Sequence, residues 1–468
     1  MPVVTFQLNK GPFLSVDSTE IGSPDVASLA KNCFLTLAGS LINRPGLELF
    51  AQVGVYPILG LSYFGSYVVV VTSDRRIYAI TAAGVVTEIT GTDALEGSSR
   101  PTFAQDGTYL AIAGGGAPKV WNGSGNTTAM AGSPPDCTQI VFVDGYWVAI
   151  DGDDVVWAGP TEALRATWDA TNFFQAEALP DSPLAIAVSQ REIFVAGQRS
   201  IEIFQNVGDS AVPFRRSGAI TGVGIGAVHS FIEADNTLGF LDSERNFRQF
   251  QGRNPVNIST PQIDRVIKGF STVSDCWGAH VDHDGSFNMV WTFPTERRTF
   301  AYDYLNRVWR EWDGYVSGIS SRFRGHSHVF VPNTEKHFFG DYNTGKIWEF
   351  TKDAGSDGDH PRRVLYESGH IDHGTGNRKR NKWYRLHVKR GLGTVGGTEP
   401  LFLVQFRDDD GEWRTEIEMG LGFIGENNHT IQIFNTGIYR KRQIRIFMTD
   451  PYNLVLSKIE EDVEVMGS

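Results

Sequence analysis

The sequence has few cysteines and no long apolar run. Its three cysteines, Cys33, Cys137 and Cys276, stand far apart and are odd in number. Such a set provides neither a disulfide framework nor a zinc site, so we expect a protein that matures in a reducing compartment. The apolar run from Tyr67 to Val71 is far too short to cross a bilayer, and the first residues lack the basic and apolar regions of a secretory signal. We therefore expect neither export through such a signal nor a membrane segment.

The chain also lacks an excess of positive charge. It has 42 Lys and Arg against 54 Asp and Glu, a net charge of −12. This balance argues against a protein that wraps nucleic acid by general positive charge, although DNA could still slide past its surface. The acidity is uneven, because residues 1–360 hold 26 Lys and Arg against 39 Asp and Glu, whereas residues 361–468 hold 16 against 15.

Glycine and aromatic residues are abundant. The chain has 51 Gly, 30 Phe, 14 Tyr and 11 Trp, and glycine exceeds its average usage of about 7%. Short alternating or β-branched runs, bounded by Gly, Asp, Asn and Ser, occupy almost the whole chain. These features predict an all-β protein with many tight turns.

One pattern recurs about seven times at a spacing of roughly 40 residues, which is the length of a four-stranded propeller blade. It consists of an apolar strand, a polar turn, a second apolar strand, another turn and a strand that ends in an aromatic residue. The copies end near Tyr78, Trp121, Trp157, Phe204, Phe250, Trp309 and Trp348. Neighbouring blades bury the inner strands, which explains continuous apolar runs such as VVVV. A solenoid is the competing arrangement, and the irregular repeat lengths disfavour it.

These observations predict a six- or seven-bladed β-propeller with a C-terminal β-sandwich-like domain. Residues 51–352 form the propeller, and the N-terminal segment 1–50 is a candidate for the strand that closes its ring. The polar stretch after Phe350 marks a boundary, and residues 363–468 contain a sandwich-sized set of strands. One short helix is also predicted, because Thr260 suits an N-cap, Pro261 the first helical position and Gly269 the end.

Two acidic segments and one glycine-rich segment match parts of known ligand-binding motifs. The stretch from Gly391 to Gly396 fits the dinucleotide fingerprint, but Pro400 follows where a helix is needed, so a hairpin loop is predicted. The segments 151–154 and 408–411 lack the full calcium-loop pattern and are interpreted as hairpin turns.

Histidines stand in three loose groups: His280 and His283, His326 and His328, and His370 and His373. Residues two apart on a strand share a face, so His326 and His328 could both ligate a metal. A third ligand at defined spacing is missing from the sequence around them. We therefore expect no metal, no cofactor and no catalytic residue.

Basic residues of the C-terminal part form two clusters. They are Arg378, Lys379, Arg380 and Lys382, and Arg440, Lys441 and Arg442. One interpretation is a solvated loop and strand edge, and the other is contact with an acidic protein neighbour or with DNA.

Three stretches resemble the tail hub, or nozzle, of short-tailed bacteriophages, also called the packaged-DNA stabilisation protein. They are Ser200–Gly208, Asn257–Phe270 and His283–Trp312, and the third is the most specific, with its apolar strand, Pro294 and Trp309. Weaker similarity extends towards both ends of the chain.

The resemblance implies a structural virion protein without catalytic residues. It implies a homo-hexameric ring below the portal and adaptor, which seals packaged DNA and forms the channel for genome ejection. Tail fibres or spikes would be neighbours, contact with DNA would be transient and non-specific, and the virion tail would be assembled in the host cytoplasm. The alternative is a propeller glycosidase, or a carbohydrate- or protein-binding module, acting at the host surface. The segment Asp408 to Trp413 is similar to the aspartate-box turns of sialidase propellers, but a glycosidase also needs paired carboxylates.

Overall fold

The computed structural model describes residues 4–6, 29–36, 40–151, 155–161, 168, 171–176, 178–209, 213–283, 285–391, 398–426 and 430–467. Within these ranges the protein is almost entirely β, with one α-helix. The first five strands are β1 (Val4–Phe6), β2 (Leu29–Lys31), β3 (Cys33–Leu35), β4 (Leu41–Asn43) and β5 (Gly46–Gln52). The predicted all-β class is confirmed.

Seven antiparallel four-stranded blades make up the described part of the propeller. Blade 1 contains β6 (Ile58–Phe64), β7 (Tyr67–Thr72), β8 (Ile77–Thr81) and β9 (Val86–Glu88). Blade 2 contains β10 (Thr102–Gln105), β11 (Leu110–Ala113), β12 (Lys119–Trp121) and β13 (Thr128–Ala129). Blade 3 contains β14 (Gln139–Val143), β15 (Tyr146–Ile150), β16 (Val155–Thr161) and β17 (Phe173–Gln175). Blade 4 contains β18 (Ala185–Ser189), β19 (Glu192–Ala196), β20 (Ser200–Asn206) and β21 (Phe214–Thr221).

The last three blades follow the same order. Blade 5 contains β22 (Ile232–Ala234), β23 (Thr237–Leu241), β24 (Phe247–Gln251) and β25 (Asn254–Asn257). After the helix α1 (Pro261–Lys268), blade 6 contains β26 (Trp277–His283), β27 (Ser286–Phe293), β28 (Arg298–Asp303) and β29 (Val308–Trp312). A hairpin of β30 (Gly314–Val316) and β31 (Ile319–Ser321) precedes blade 7. Blade 7 contains β32 (Gly325–Val331), β33 (Lys336–Asp341), β34 (Lys346–Thr351) and, as its outermost strand, β5.

The ring closes between blades 7 and 1. Their first strands, β32 and β6, lie side by side near the propeller axis. At the outer edge β5 pairs antiparallel with β34, with Leu47 opposite Phe350. The N-terminal segment and the end of the repeat region therefore share one blade.

Burial explains why the middle strands are continuous apolar runs. In β7 the side chains of Val69, Val70 and Val71 are fully buried, because a central strand is covered on both faces by neighbouring blades. The predicted short helix is also confirmed. Thr260 accepts a hydrogen bond from Ile263 N at 3.4 Å, and Ile263 and Ile267 are buried.

The C-terminal domain consists of two sheets that share one core. Its strands are β35 (Ser356–Asp357), β36 (His360–Pro361), β37 (Val364–Glu367), β38 (Lys379–Val388), β39 (Leu401–Asp408), β40 (Ile417–Gly420), β41 (Thr430–Tyr439), β42 (Arg442–Met448) and β43 (Val455–Val465). The first two, however, join the sheet of blade 7. One sandwich sheet has the order β3-β4-β43-β38-β41, and the other continues blade 6 as β29-β2-β37-β42-β39-β40. Tyr384 and Leu456 of the first sheet pack against Phe402 and Ile444 of the second, which confirms the sandwich-like domain.

The N-terminal strands are divided between the two parts of the fold. Strands β1 and β4 pair with β43, and β2 lies between β29 of blade 6 and β37. Among the described N-terminal strands, β5 alone completes a four-stranded blade, while β2 extends the sheet of blade 6. The limits predicted for the three parts, 1–50, 51–352 and 363–468, stay predictions.

Candidate functional site

A cavity of about 390 Å³ lies on the propeller axis. Residues in or beside the first strands of all seven blades line it, among them Gly60, Thr102, Gln139, Trp277 and His328. Because every blade contributes its innermost strand, the cavity lies where the axis passes through the ring. We call it the axial cavity.

Side chains from one blade hold the backbone of other blades around this cavity. Gln139 Nε2 donates to Val228 O at 3.2 Å, and Gln139 Oε1 accepts from Ile186 N at 2.7 Å. Thr102 Oγ1 likewise accepts from Ile140 N at 3.3 Å. Innermost strands leave backbone groups without a ladder partner, and these contacts satisfy several of them. These side chains therefore narrow the axis at the level of the cavity.

Arg100 brings a positive charge to the wall of the cavity. Its guanidinium lies over the Trp277 ring, 4.7 Å from the centroid, and its Nη2 donates to His326 O. Burial and the nearby Arg322 lower the pKa of Arg100 to about 9. The side chain is still charged at neutral pH, because that value is well above 7.

The histidines near Arg100 are held neutral. Burial, with the charge of Arg100 added, lowers the pKa of His229 to about 3 and that of His326 to about 2. His326 Nδ1 lies 2.7 Å from Arg322 Nη2. At neutral pH the imidazoles therefore act as hydrogen-bonding groups and not as charges.

The predicted histidine groups do not converge on one point. His326 contacts Arg322, whereas the Nε2 of His328 lies 2.9 Å from the Nδ1 of His337. His373 lies 3.1 Å from Glu461 in the sandwich, far from the propeller histidines along the chain. Among the residues that the structure describes, no group of three or more His, Cys, Asp or Glu side chains could hold a metal ion.

The carboxylates of the acidic turn at the end of β39 bind other residues of the same chain. Asp409 Oδ1 accepts hydrogen bonds from the backbone N of Arg440 and of Lys441, both at 2.9 Å. The carboxylate of Asp408 pairs with Arg442, at 2.5 Å between Oδ1 and Nε. Of the other motifs, residues 152–154 and 392–397 lie outside the described residues.

The two basic clusters divide into buried and exposed members. Lys379 and Arg442 are buried, and the ammonium of Lys379 donates to Arg440 O at 2.5 Å. Their charges are therefore occupied inside the sandwich, between β38 and the β41–β42 turn. The remaining cluster residues reach solvent to differing degrees: Arg378, Arg380, Lys382, Arg440 and the half-buried Lys441.

An apolar patch that the sequence did not reveal lies beside the exposed basic residues. Strand β41 is the edge of its sheet, and its Phe434 and Ile438 are 60% and 43% exposed. Opposite them on β38 are Trp383 and Arg380. The alternation of apolar and polar residues along β41 was the available signal, but it does not tell which face is covered. We call Arg380, Lys382, Trp383, Phe434 and Ile438 the β38–β41 face.

A second group missed by the sequence joins the N-terminal segment to both parts of the fold. Arg44 pairs with Asp357 and donates from Nε to Asn32 Oδ1 at 2.9 Å. Asn32 Nδ2 in turn donates to Asp313 Oδ1 at 2.5 Å. Arg44, Asn32, Asp313 and Asp357 are all buried, so this joint fixes the chain start against blades 6 and 7.

No helix within the described ranges is long and apolar enough to cross a membrane.

Comparisons with known structures return matches at low identity. The WD40 beta propeller domain of Doa1 is 12% identical, with 66% of this chain and 97% of that chain covered and a TM-score of 0.45. The computationally designed Ika8 protein is 14% identical, with 65% and 99% covered and a TM-score of 0.40. No curated protein sequence matches the chain.

A family model identifies the chain more directly. The model described as "Bacteriophage P22 Gp10, beta-propeller" matches residues 32–355. This range contains all seven blades and the three stretches that carry the sequence resemblance. It covers well over half of the 468 residues. The chain therefore belongs to the Bacteriophage P22 Gp10 beta-propeller family, and it is similar to the tail hub proteins of short-tailed phages.

Proposed function

We propose that this protein is a ring-forming tail hub that seals packaged DNA below the portal and adaptor and forms the channel for its ejection. Membership of the family makes it a structural phage tail protein that stabilises packaged DNA. Beyond family membership, we propose that six copies form a ring, that the ring encloses a channel, and that the tail is assembled in the host cytoplasm.

The small size of the axial cavity is the observation that supports a ring of several copies. The axial cavity has about 390 Å³ and is walled by side chains such as Trp277 and Gln139. A DNA duplex, whose major groove alone is about 12 Å wide, cannot pass through such a space. If the protein surrounds DNA, several copies must do so together, with the channel between them.

The charge distribution supports a channel through which DNA slides. Residues 1–360 hold 26 Lys and Arg against 39 Asp and Glu. Carboxylates facing a lumen would repel phosphates, whereas each Lys or Arg contact would add a salt-dependent attraction. The proposal therefore assigns a predominantly acidic surface of the propellers to the lumen.

The β38–β41 face supports a contact between copies or with the adaptor. Arg380 and Lys382 supply positive charge, and Phe434 supplies apolar area beside them. Interfaces combine aromatic anchors with a charged rim, and the acidic propeller of a neighbour is a complementary surface. Arg378 and Arg440, exposed in the adjoining turns, belong to the same proposed contact.

The same proposal holds that the protein is not an enzyme. A glycosidase needs two carboxyl groups roughly 5–9.5 Å apart around its substrate. The described lining of the axial cavity contains neither Asp nor Glu, and Asp408 and Asp409 are engaged in turn and ion-pair contacts. These observations disfavour a sialidase-like site at either place.

Native mass measurement and imaging of phage particles test the ring. We expect a ring of six copies on portal-bearing particles, with the β38–β41 face at a contact. Replacing Arg378, Arg380 and Lys382 by Ser should leave the monomer folded and reduce particle completion. The matched control replaces three exposed arginines of the propeller, Arg191, Arg215 and Arg253, by Ser. A stable monomer that never joins such particles would contradict the hub, and equal assembly by both triple variants would contradict the contact.

A further inference from the structure

The axial cavity differs in charge from the protein around it. The chain carries a net charge of −12, yet the described residues that line the cavity include Arg100 and no Asp or Glu. The other titratable side chains in its wall are His229 and His328, and burial lowers the pKa of both. The cavity is thus a positive pocket inside an acidic protein.

Arg100 is held in place without being neutralised. One hydrogen bond from Nη2 to His326 O and the Trp277 ring fix the guanidinium. In the part of the chain that the structure describes, Arg100 forms no ion pair, and Nε and Nη1 have no acceptor. Arg100 is half-buried, and a guanidinium that is partly withdrawn from water normally pairs with a carboxylate, because removing its charge from water is costly. Two donors of Arg100 therefore remain available to something inside the cavity.

His229 offers a further donor at the same wall. Its imidazole lines the cavity and has no hydrogen-bond partner among the described residues. It lies close enough to Arg100 for that charge to lower its pKa. A neutral imidazole carries one N–H group, which can donate to an oxygen acceptor.

We propose that the axial cavity binds a small oxyanion, held by the guanidinium of Arg100 and the imidazole of His229. Arginine presents paired donors that match the oxygens of a phosphate, sulfate or carboxylate group. The volume of about 390 Å³ is near the lower end for ligand sites, which begin at about 300 Å³. It admits such an ion with a few waters and excludes a polynucleotide.

Binding there would connect the residues of blade 2 with those of blade 5, which are not neighbours in the ring. Arg100 precedes β10 of blade 2, His229 precedes β22 of blade 5, and Trp277 begins β26 of blade 6. The anion binds the closed ring and not the unfolded chain, so it stabilises the fold in proportion to its occupancy. This inference concerns a single copy and is independent of ring assembly between copies.

Titration of the purified wild-type protein with inorganic phosphate, and separately with sulfate, tests the site. Calorimetry should detect saturable binding, and the Tm should rise with occupancy. Sodium chloride at equal ionic strength is the control, and it should give no saturable signal. Absence of saturable binding of either oxyanion to the wild-type protein would overturn the proposal, whatever the behaviour of any variant.

Arg100→Met should weaken binding by about 10-fold or more, since a charged hydrogen bond is lost. The matched control is Arg191→Met, because Arg191 is exposed and paired with Asp144 on blade 3; its affinity should equal that of the wild type. Unchanged affinity in Arg100→Met would also overturn the proposal. If Arg100→Met does not fold, the imidazole NMR signals of wild-type His229 decide: they should shift on phosphate addition while those of His360 do not, and a stationary His229 signal refutes the site.

Discussion

Arg44 donates to both carboxylate oxygens of Asp357, at 2.9 Å from Nη1 to Oδ1 and 2.5 Å from Nη2 to Oδ2. The two residues are 313 positions apart, and both side chains are buried. Each charge neutralises the other. Burying either side chain without its partner would be strongly unfavourable.

Removing one partner of this pair should therefore be severe. Arg44→Met removes the guanidinium that pairs directly with the buried carboxylate of Asp357 and leaves Arg362 as a nearby charge. We expect a loss of roughly 3 kcal/mol in unfolding free energy. Arg44→Met combined with Asp357→Leu should recover part of that loss. Denaturant unfolding of the single and double variants measures both effects.

The exposed pair of Arg191 and Asp144, at 2.7 Å, provides the comparison. Arg191→Met should lower the unfolding free energy far less than Arg44→Met, because exposed ion pairs contribute little to stability. If both variants lose the same unfolding free energy, the buried pair of Arg44 and Asp357 contributes no more to stability than an exposed pair.

Closure of the ring by the N-terminal strand can be tested within β5 itself. Leu47 is 1% exposed and packs with Trp348 and Phe350, whereas Leu49, two residues on, is 50% exposed. We expect Leu47→Ala to cost about 2–5 kcal/mol and Leu49→Ala about 0.5 kcal/mol or less. Thermal unfolding compares the two, and similar Tm values for both variants would argue against pairing of β5 with blade 7.

The basic cluster at the start of β38 should separate into two kinds of residue. Lys379 is buried and donates to Arg440 O at 2.5 Å, so Lys379→Ser should lower the stability of the isolated protein by about 1–3 kcal/mol. Replacement of Arg378, Arg380 and Lys382 by Ser should change it by about 0.5 kcal/mol or less. Chemical denaturation measures both, and a marked loss of stability in the triple variant would mean that these side chains support the fold.

Acid should destabilise the contact between blades 6 and 7. His337 packs against His328 and is near His280, Asp282 and His283, and burial lowers its pKa to about 4. Its ordinary value is about 6.5, so the unfolded chain takes up the proton first. Stability from this group is complete above about pH 6.5 and is lost as the pH falls to about 4, by roughly 3 kcal/mol.

His337→Gln should flatten this part of the stability profile, measured by denaturant unfolding between about pH 7 and about pH 4. NMR titration of the wild-type protein gives a direct check. A folded-state pKa near 6.5 for His337 would remove the basis of the prediction.

Local patterns in the sequence predicted the blades and the helix because those features depend on neighbouring residues. Apolar runs such as Val69 to Val71 follow from burial of a central strand, and Thr260 and Pro261 are local signals of a helix start. The sixth copy shows the limit of this reasoning. Its terminal aromatic residue, Trp309, lies on β29, the fourth strand, while Tyr302 occupies the third and pairs with it.

Long-range features had no local signal. Nothing around Leu41 or Ile42 indicates that β4 pairs with β43, more than 400 positions along the chain. Arg100, in the stretch GSSRPTF, has no neighbour in sequence that marks it as the charge of the axial cavity. Exposure of Phe434 likewise depends on β41 being a sheet edge, which follows only from the assembled sandwich.

The shared blade also sets an order of events during synthesis. Strand β5 emerges from the ribosome early, but its partner β34 follows only after residue 346, and β43 reaches β1 and β4 later still. Until then β1 and β5 lack their partners and β4 can pair only with β3, so strand edges that favour aggregation stay exposed while the intervening blades form. A translation product that ends before β34 lacks the partner of β5 and cannot close its ring. Incomplete chains therefore cannot form the closed propeller that assembly requires.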